Sequence, residues 1–478
     1  MKKQLRLYNS LSRRKETFTP LSAGQVTLYT CGPTVYDYSH LGNFRTFLFE
    51  DVLHRVLLWA GYRVKHVMNI TDVGHLVSDA DAGEDKMEKG ARREGKSVWD
   101  IAAFYTGEFE RDFFDSLNAL RPDVLPKATD HIAEQIALVQ RLEDKGFTYR
   151  ISDGVYFDTA RVADYGKLAA VDIDQLQEGA RVEKNPEKRQ PADFALWKFS
   201  PGGVGAAKRQ MEWDSPWGKG FPGWHLECSA MSMKYLGETL DIHTGGIDHR
   251  EIHHTNEIAQ SEAATGKPFA RVWMHGEFIT VDGRRMGKSL GNFIRVADVV
   301  ARGFDPSAYR YMTLLTHYRK PANFTWEGLA AADAALQRVW RFVASAAGRQ
   351  AELKDTAVLE DAVRDFEAAI FDDLNMPQAV GVAQRVMEIG AGGGGKDFLP
   401  AAATLLKFDA VLGLRLAEHV TGAAQVDVPA AVQKLVDARE VARATKNWTE
   451  ADRLRDEISA AGYEVDDAAS GPVVRKKS

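Results

Sequence analysis

Near the start of the chain, apolar positions change their spacing in a strand–helix–strand order. Val26-Thr27-Leu28-Tyr29-Thr30 reads as a strand bounded upstream by Gly24. After a loop from Cys31 to Ser39, apolar residues recur at Phe44, Phe47, Leu48, Val52, Val56 and Leu57, a helical spacing closed by Gly61. Val64 to Ile70 resumes as a strand. A βαβ unit of this kind binds ligands where its first strand hands over to the helix. Helices are expected around 98–117 and 130–145, followed by a less regular Gly- and Pro-containing stretch to about 222. Leu240 to Thr244 reads as a strand turned by Gly245-Gly246, and 251–264 as a helix. A short strand, a loop and a further apolar segment are expected near 273–295.

Beyond about Pro321 the pattern becomes that of Ala-rich amphipathic helices: Leu329 to Ala347, Val358 to Phe371, Pro377 to Ile389 and Ala401 to Leu414. Gly392 to Gly395 reads as a connection between helices, and Thr421 to Pro429 as a linker. Two charged helices over 431–462 follow, with Gly462 as a C-terminal cap. The expected map is an α/β body, a helical domain and a small helical tail.

Composition narrows the classes. With 478 residues, 45% hydrophobic and 27% charged, the chain is an ordinary globular one of several domains. Neither a secretory signal nor an uncharged apolar run of about 18 residues is visible, so no membrane association and a cytoplasmic location are expected. Lys and Arg number 61 against 67 Asp and Glu, for a net charge of -6. That balance argues against a small dedicated nucleic-acid binder but not against a large enzyme with a local basic groove. Cys31 and Cys228, 197 positions apart, are the only cysteines, and a cytosolic setting disfavours their pairing. The mixed-charge stretch 84–96 fits a solvated helix face, or a loop closing over a site.

Three places carry candidate chemistry. Ser39-His40-Leu41-Gly42-Asn43 lies at the strand-to-helix handover, where free backbone N–H groups and the helix dipole favour an anion. Gly42 lets a ligand come close, although a capping histidine beside a loop glycine has the same pattern. Asp282 to Asn292 is a cationic loop punctuated by Gly283, Gly287 and Gly291. Lys288 there suits a polyphosphate, but this is no Walker loop. His253 and Glu257, four apart on a helix, share a face. With Cys31 and Cys228 they make a donor set that suits zinc. His254, the competing ligand, points about 100° away on an ideal helix.

In this order, these pieces resemble the bacterial cysteinyl-tRNA synthetases, of the class I aminoacyl-tRNA synthetases, over essentially the whole chain. Thr30 to Asp37 and then His40-Leu41-Gly42-Asn43 resemble the family's opening and its H-I-G-H motif. Asn69-Ile70-Thr71-Asp72-Val73, Gly223 to Cys228, Gly245-Gly246-Ile247-Asp248 and His253 to Gln260 resemble the blocks that follow. Arg285-Met286-Gly287-Lys288-Ser289 stands where K-M-S-K-S belongs. Two departures stand out: Asn43 replaces the second histidine, while Arg285 and Gly287 replace a lysine and a serine.

The resemblance implies a Rossmann-like parallel-sheet catalytic domain over 1–320 with a connective insertion at about 120–222. A helical tRNA-stem and anticodon-binding domain over 321–422 and a small anticodon-binding unit over 423–478 would follow. It implies that cysteine and ATP, with Mg²⁺, form cysteinyl-adenylate, and that the cysteinyl group passes to the 3′ end of tRNA(Cys). His40, Asn43 and Lys288 would be the catalytic residues. Gly42, Gly245, Gly246, Asp248, Arg285, Met286 and Ser289 would join them around ATP, and Gly32, Thr71 and Trp224 would bound the cysteine. Cys31, Cys228, His253 and Glu257 would hold one zinc that selects the substrate thiolate. Asp372-Asp373-Leu374-Asn375 and Lys446-Asn447-Trp448 match segments of the helical regions, and Trp448 suits base stacking or an interhelix core equally. A monomer is expected. The rival readings are a cysteine ligase acting on an amino sugar, which would lack the roughly 150 residues after 321, and a non-catalytic zinc-containing RNA-binding protein.

Overall fold

The structure is a computed structural model that describes residues 4–74, 86–169, 185–200, 209–392, 395–422, 429–445, 447–468 and 471–476. It divides into two compact units. The first comprises Met1–Pro306, Thr316–Trp326 and Phe371–Leu374; the second comprises Ser307–Leu315, Glu327–Ile370 and Asn375–Ser478.

The first unit begins with an antiparallel hairpin, β1 (Arg6–Asn9) and β2 (Arg14–Thr17); β1 is too short, and β2 too exposed and charged, to leave an apolar pattern to read. Then come β3 (Gln25–Thr30), α1 (Leu41–Trp59) and β4 (Arg63–Met68), within two or three residues of the expected βαβ unit. After α2 (Lys86–Glu94), α3 (Val98–Glu110) continues into a π-helical turn, Arg111–Ser116, and α4 (Ile132–Asp144) leads into the insertion. The first two residues of the mixed-charge stretch, Glu84 and Asp85, lie outside the described residues; the rest is α2 and its exit.

The insertion holds an antiparallel sheet of β5 (Thr148–Ile151), β6 (Gly154–Phe157), β7 (Phe194–Phe199) and β8 (Gly220–Pro222), in that order. All four residues of β6 are buried, so its strand shows no alternation of polar and apolar positions. Residues 170–184 and 201–208 of this stretch lie outside the described set. The chain then returns to the body through α5 (Trp224–Leu236), β9 (Leu240–Gly246), α6 (His253–Thr265) and β10 (Ala270–Gly276).

The central sheet is parallel, ordered β10-β9-β3-β4. Thr30 is in register with both Thr244 and Met68, so the carboxyl ends of β3, β9 and β4 finish side by side. Every residue of β9 is buried, as a central parallel strand requires. Phe44 and Phe47 of α1 pack against Phe109 and Phe113 at ring separations of 5.4–6.2 Å, seating the helix on its neighbours. The buried Asp241 carboxylate joins β9 to β3: it accepts from the Thr27 N–H and hydroxyl at 2.8 and 2.9 Å, and from the Leu21 N–H at 2.5 Å.

The second unit holds the helices Trp326–Ala344 (from Glu327 onward), Glu360–Ile370, Met376–Gly392 and Phe398–Leu412, as the amphipathic pattern predicts. Phe366 stacks on Phe408 at 3.9 Å, and the Trp340 indole donates to the Leu414 carbonyl at 2.8 Å. Two further helices, Ala430–Ala444 and Trp448–Ala460, precede Gly462, whose φ of +85° suits the glycine expected there. A terminal hairpin, Tyr463–Ala468 with Gly471–Lys476, adds Val465 to the core of Val432, Val436 and Ile458. Trp448 is 59% exposed, and Lys446 lies outside the described residues.

Asp241→Ala is expected to lower stability by about 2 kcal/mol, because it strands the Thr27 N–H and hydroxyl on β3 and the Leu21 N–H just before it. Thermal and denaturant melts against the parent chain measure this, and an unchanged midpoint would show that the clasp carries no weight.

Candidate active site and metal centre

The site is built where β3 ends and α1 begins. His40 is the N-cap of α1: its Nδ1 accepts from the Asn43 N–H at 3.1 Å, and its own N–H donates to the Asn43 side-chain oxygen at 3.1 Å. This reciprocal box satisfies two backbone donors that a helix start would otherwise leave open. It also makes Nδ1 the acceptor, so in the neutral ring Nε2 carries the proton. Burial, together with the nearby Lys288 charge, holds the His40 pKa below its ordinary value, which favours that neutral ring. Gly42 has no side chain for a reason visible here: a Cβ would stand 2.8 Å from the His40 ring.

Across the opening lies the cationic loop. The Asn292 side chain braces it by accepting from the Gly287 N–H and donating to the Arg285 carbonyl, each at 2.9 Å. Lys288 pairs with Asp37 and lies 4.9 Å over the Phe293 ring, which in turn meets the His40 ring edge-on at 5.0 Å. The Leu41 N–H donates to the Ile294 carbonyl at 2.9 Å, tying the helix start to the end of the loop. Together these elements border a cleft of about 800 Å³. His40, Gly42, Asn43, Gly246, Asp248, Arg285, Met286 and Lys288 line it, with Cys31 and Gly32 at its base. The Ser289 side chain lies outside the described residues.

Beneath the cleft is a buried cluster. One ligand atom from each of Cys31, Cys228, His253 and Glu257 falls within 4.8 Å of the others. Glu257 Oε1 is 2.8 Å from His253 Nε2, and Oε2 is 2.8 Å from His243 Nε2. Burial works against the Glu257 charge, yet His243 and His253 bring its carboxyl down to about 2. Burial likewise opposes charge on His253, but Glu257 and Cys228 lift it to about 10. The Cys31 thiol, and then His253, hold Cys228 at about 7, while burial pushes Cys31 up. Two thiols, an imidazole and an ionised carboxylate, all buried and convergent, form a donor set that fits a borderline-soft divalent cation such as zinc. His253 Nδ1 faces His225 Nδ1 at 3.0 Å, the outer hydrogen bond that a ligating imidazole ordinarily makes.

One expectation is overturned. His254 does not turn away: its Nε2 lies 3.3 Å from Cys31 Sγ, and its Nδ1 lies 2.9 Å from His275 Nε2. The cluster wraps the first turn of α6, where the Cys31 sulfur is within reach of both His253 and His254. Cys31, His243, His254 and Glu257 consequently form a second, overlapping group. His243 was not among the sequence candidates; a lone histidine in the apolar run of β9 was its only signal.

The remaining candidates stand behind the cleft. Thr71 is buried and accepts from the Asn69 amide at 3.0 Å, while its N–H donates to the Pro33 carbonyl at 3.0 Å. The Trp224 ring lies 4.5 Å from that of His253. A Cβ on Gly245 would stand 2.8 Å from the His254 ring, so glycine there admits the imidazole beneath the strand end.

Residues 17–334 match the family described as tRNA synthetases class I (C) catalytic domain, and 425–475 match the cysteinyl-tRNA ligase anticodon binding domain. Cysteine–tRNA ligase 1 of Burkholderia lata is 51% identical, over 98% of this chain and 96% of its own. Cysteine–tRNA ligase of Treponema denticola is 41% identical, over 99% of each chain. Among solved structures, a LeuRS–tRNA–LeuAMS ternary complex from Agrobacterium radiobacter K84 has the same fold at a TM-score of 0.62. It is 14% identical and covers 84% of this chain and 86% of its own. Methionyl-tRNA synthetase of Mycobacterium tuberculosis, solved with methionyl-adenylate, follows at 0.53 and 15% identity, covering 84% and 92%. With the strand-end cleft, its two facing motifs and full-length relatives in agreement, the chain belongs to the cysteinyl-tRNA synthetase family of class I aminoacyl-tRNA synthetases.

Proposed function

We propose that this chain activates L-cysteine with ATP to cysteinyl-adenylate and transfers the cysteinyl group to the 3′ end of tRNA(Cys). The observation that carries the reading is that Cys31 belongs both to the cleft bearing His40 and Lys288 and to the buried thiol–imidazole–carboxylate cluster. A phosphate site and a sulfur-selecting site thereby meet at one residue.

Activation needs no protein nucleophile, because the cysteine carboxylate attacks the α-phosphorus and pyrophosphate leaves. The protein's part is to position the substrates and to stabilise phosphate charge, each a large factor in a site partly closed to water. His40 Nε2–H donates into the cleft from a ring fixed by its cap, and the Asn43 amide nitrogen is the second donor there. Lys288 offsets charge that grows on the leaving pyrophosphate, and Arg285 adds a cation at the rim. Gly246 and Asp248 line the adenosine side, with Gly245 behind them. Gly32 bounds the cysteine next to Cys31, while Thr71 and Trp224 back that end of the site.

Cys31, Cys228, His253 and Glu257 would hold zinc, which when bound favours a thiolate over an alcohol. This set is preferred to the one containing His243 and His254, since it brings both thiols, the softest donors present, to one point. The catalytic domain is assigned to 1–320 with its insertion at about 120–222, the helical tRNA-binding domain to 321–422 and the terminal anticodon-binding unit to 423–478. The anticodon-domain match at 425–475 supports the last of these and disfavours the amino-sugar ligase. Among the described residues no helix is long and apolar enough to cross a membrane. A cytoplasmic monomer that uses Mg²⁺ with ATP completes the proposal.

Lys288→Ala is expected to lower cysteine-dependent exchange of pyrophosphate into ATP by about 100-fold or more; robust exchange in that variant would refute the phosphate role. Cys228→Ser is expected to lose bound zinc, read by metal analysis, together with cysteine-dependent exchange. Serine in place of cysteine should give no exchange, and comparable rates would remove thiolate selection. Transfer assays should charge tRNA and leave an amino-sugar acceptor unmodified.

A further inference from the structure

Asp37 follows Tyr36 in the loop between β3 and α1, and the roles assigned above do not use it. Its side chain is only 13% exposed, and its orientation is set by its own backbone: Oδ1 accepts from the Tyr38 N–H at 2.8 Å. Oδ2 is thereby aimed into the cleft, where it pairs with Lys288. Arg93 of α2 reaches the same oxygen at 3.7 Å, and is itself braced by Glu94 at 2.9 Å. Glu94 in turn accepts from the Tyr105 hydroxyl at 2.7 Å, and the Tyr105 ring meets that of Tyr38 at 5.0 Å. The anchor is therefore built from three segments of the fold, whereas the lysine it holds is not.

Lys288 is 52% exposed and sits in a loop of small residues. A Cβ on Gly287 would meet nothing within 4 Å, and Gly291 has a φ of +65°. Besides the Phe293 ring, 4.9 Å from its nitrogen, this four-carbon side chain has Asp37 to fix its ammonium group, so its position depends strongly on that charged partner. An ordinary surface pair would achieve little. This one differs because one partner is mostly buried and immobilised by the backbone.

We propose that Asp37 is a positioning residue for Lys288. It engages one of the three ammonium N–H donors and leaves the other two directed at the phosphates of ATP. Arg93 shares the carboxylate, so Asp37 keeps a cationic partner as Lys288 turns toward pyrophosphate. The inference rests on the phosphate role assigned to Lys288.

The test compares Asp37→Asn and Asp37→Glu with the parent chain in cysteine-dependent pyrophosphate exchange, and maps the rate at which an amine-acylating reagent labels Lys288. Asp37→Asn should lower kcat by about 10- to 100-fold, the scale of a misplaced catalytic group, with the KM for ATP within about threefold. Lys288 should acylate several-fold faster while other lysines do not change, and Asp37→Glu should recover most of the lost kcat. An unchanged kcat, a KM for ATP that accounts for the loss, an unaltered labelling rate, or an equal loss in Asp37→Glu overturns the proposal. Lys288→Ala separates the two levels: robust exchange there strikes down the phosphate role itself. Its loss beside a normal Asp37→Asn strikes down only the positioning.

Discussion

A buried negative charge organises the catalytic unit. Glu257 is fully enclosed and ionised, a state that would cost many kcal/mol if left alone. Two imidazoles, one from β9 and one from its own helix, occupy its two oxygens. Around this pair are His225, His254, His275 and both thiols, brought by α5, α6, β10 and β3. The parallel sheet makes such convergence possible, because the carboxyl ends of β3 and β9 finish in register. Few arrangements of these strands would bring so many buried polar groups within reach of one another, so the cluster constrains the fold as much as the fold shapes the cluster.

That constraint passes upward into the cleft through Cys31. The loop that follows it has to leave the strand at a fixed place, cross to Asp37 and enter α1 at His40. Asp241 clamps the strand beneath, while the Leu41-to-Ile294 hydrogen bond and the His40–Phe293 contact join both rims. Phosphate-facing groups and sulfur-facing groups are thus held to one backbone segment, and the distance between them is set covalently as well as by packing.

Much of this was readable from spacing alone. The βαβ unit, the glycines at the strand ends and the helices of the second unit follow from apolar periodicity, and the four proposed ligands converge in the structure. What escaped has physical causes. Strand β1 is only four residues long with one aliphatic side chain, β2 is charged and exposed, and β6 is buried on both faces, so none gives a readable alternation of apolar and polar residues. His254 was misplaced because a helical wheel places a residue relative to its own helix only, and says nothing of Cys31, which lies within reach of both His253 and His254. Asp37 stands in a quoted motif, yet its pairing with a lysine 251 positions away leaves no trace in local sequence.

The capping box has a consequence for acid tolerance. His40 Nδ1 cannot take up a proton while it accepts the Asn43 N–H, so protonation and the first turn of α1 compete. Its folded pKa lies below the ordinary 6.5, so the unfolded chain binds that proton first as the pH drops. The stability tied to this histidine is therefore present at neutral pH and is lost as the pH falls below about 6.5. One imidazole serves as substrate donor and as helix bolt, so mild acid would loosen the bolt while leaving the donor its N–H.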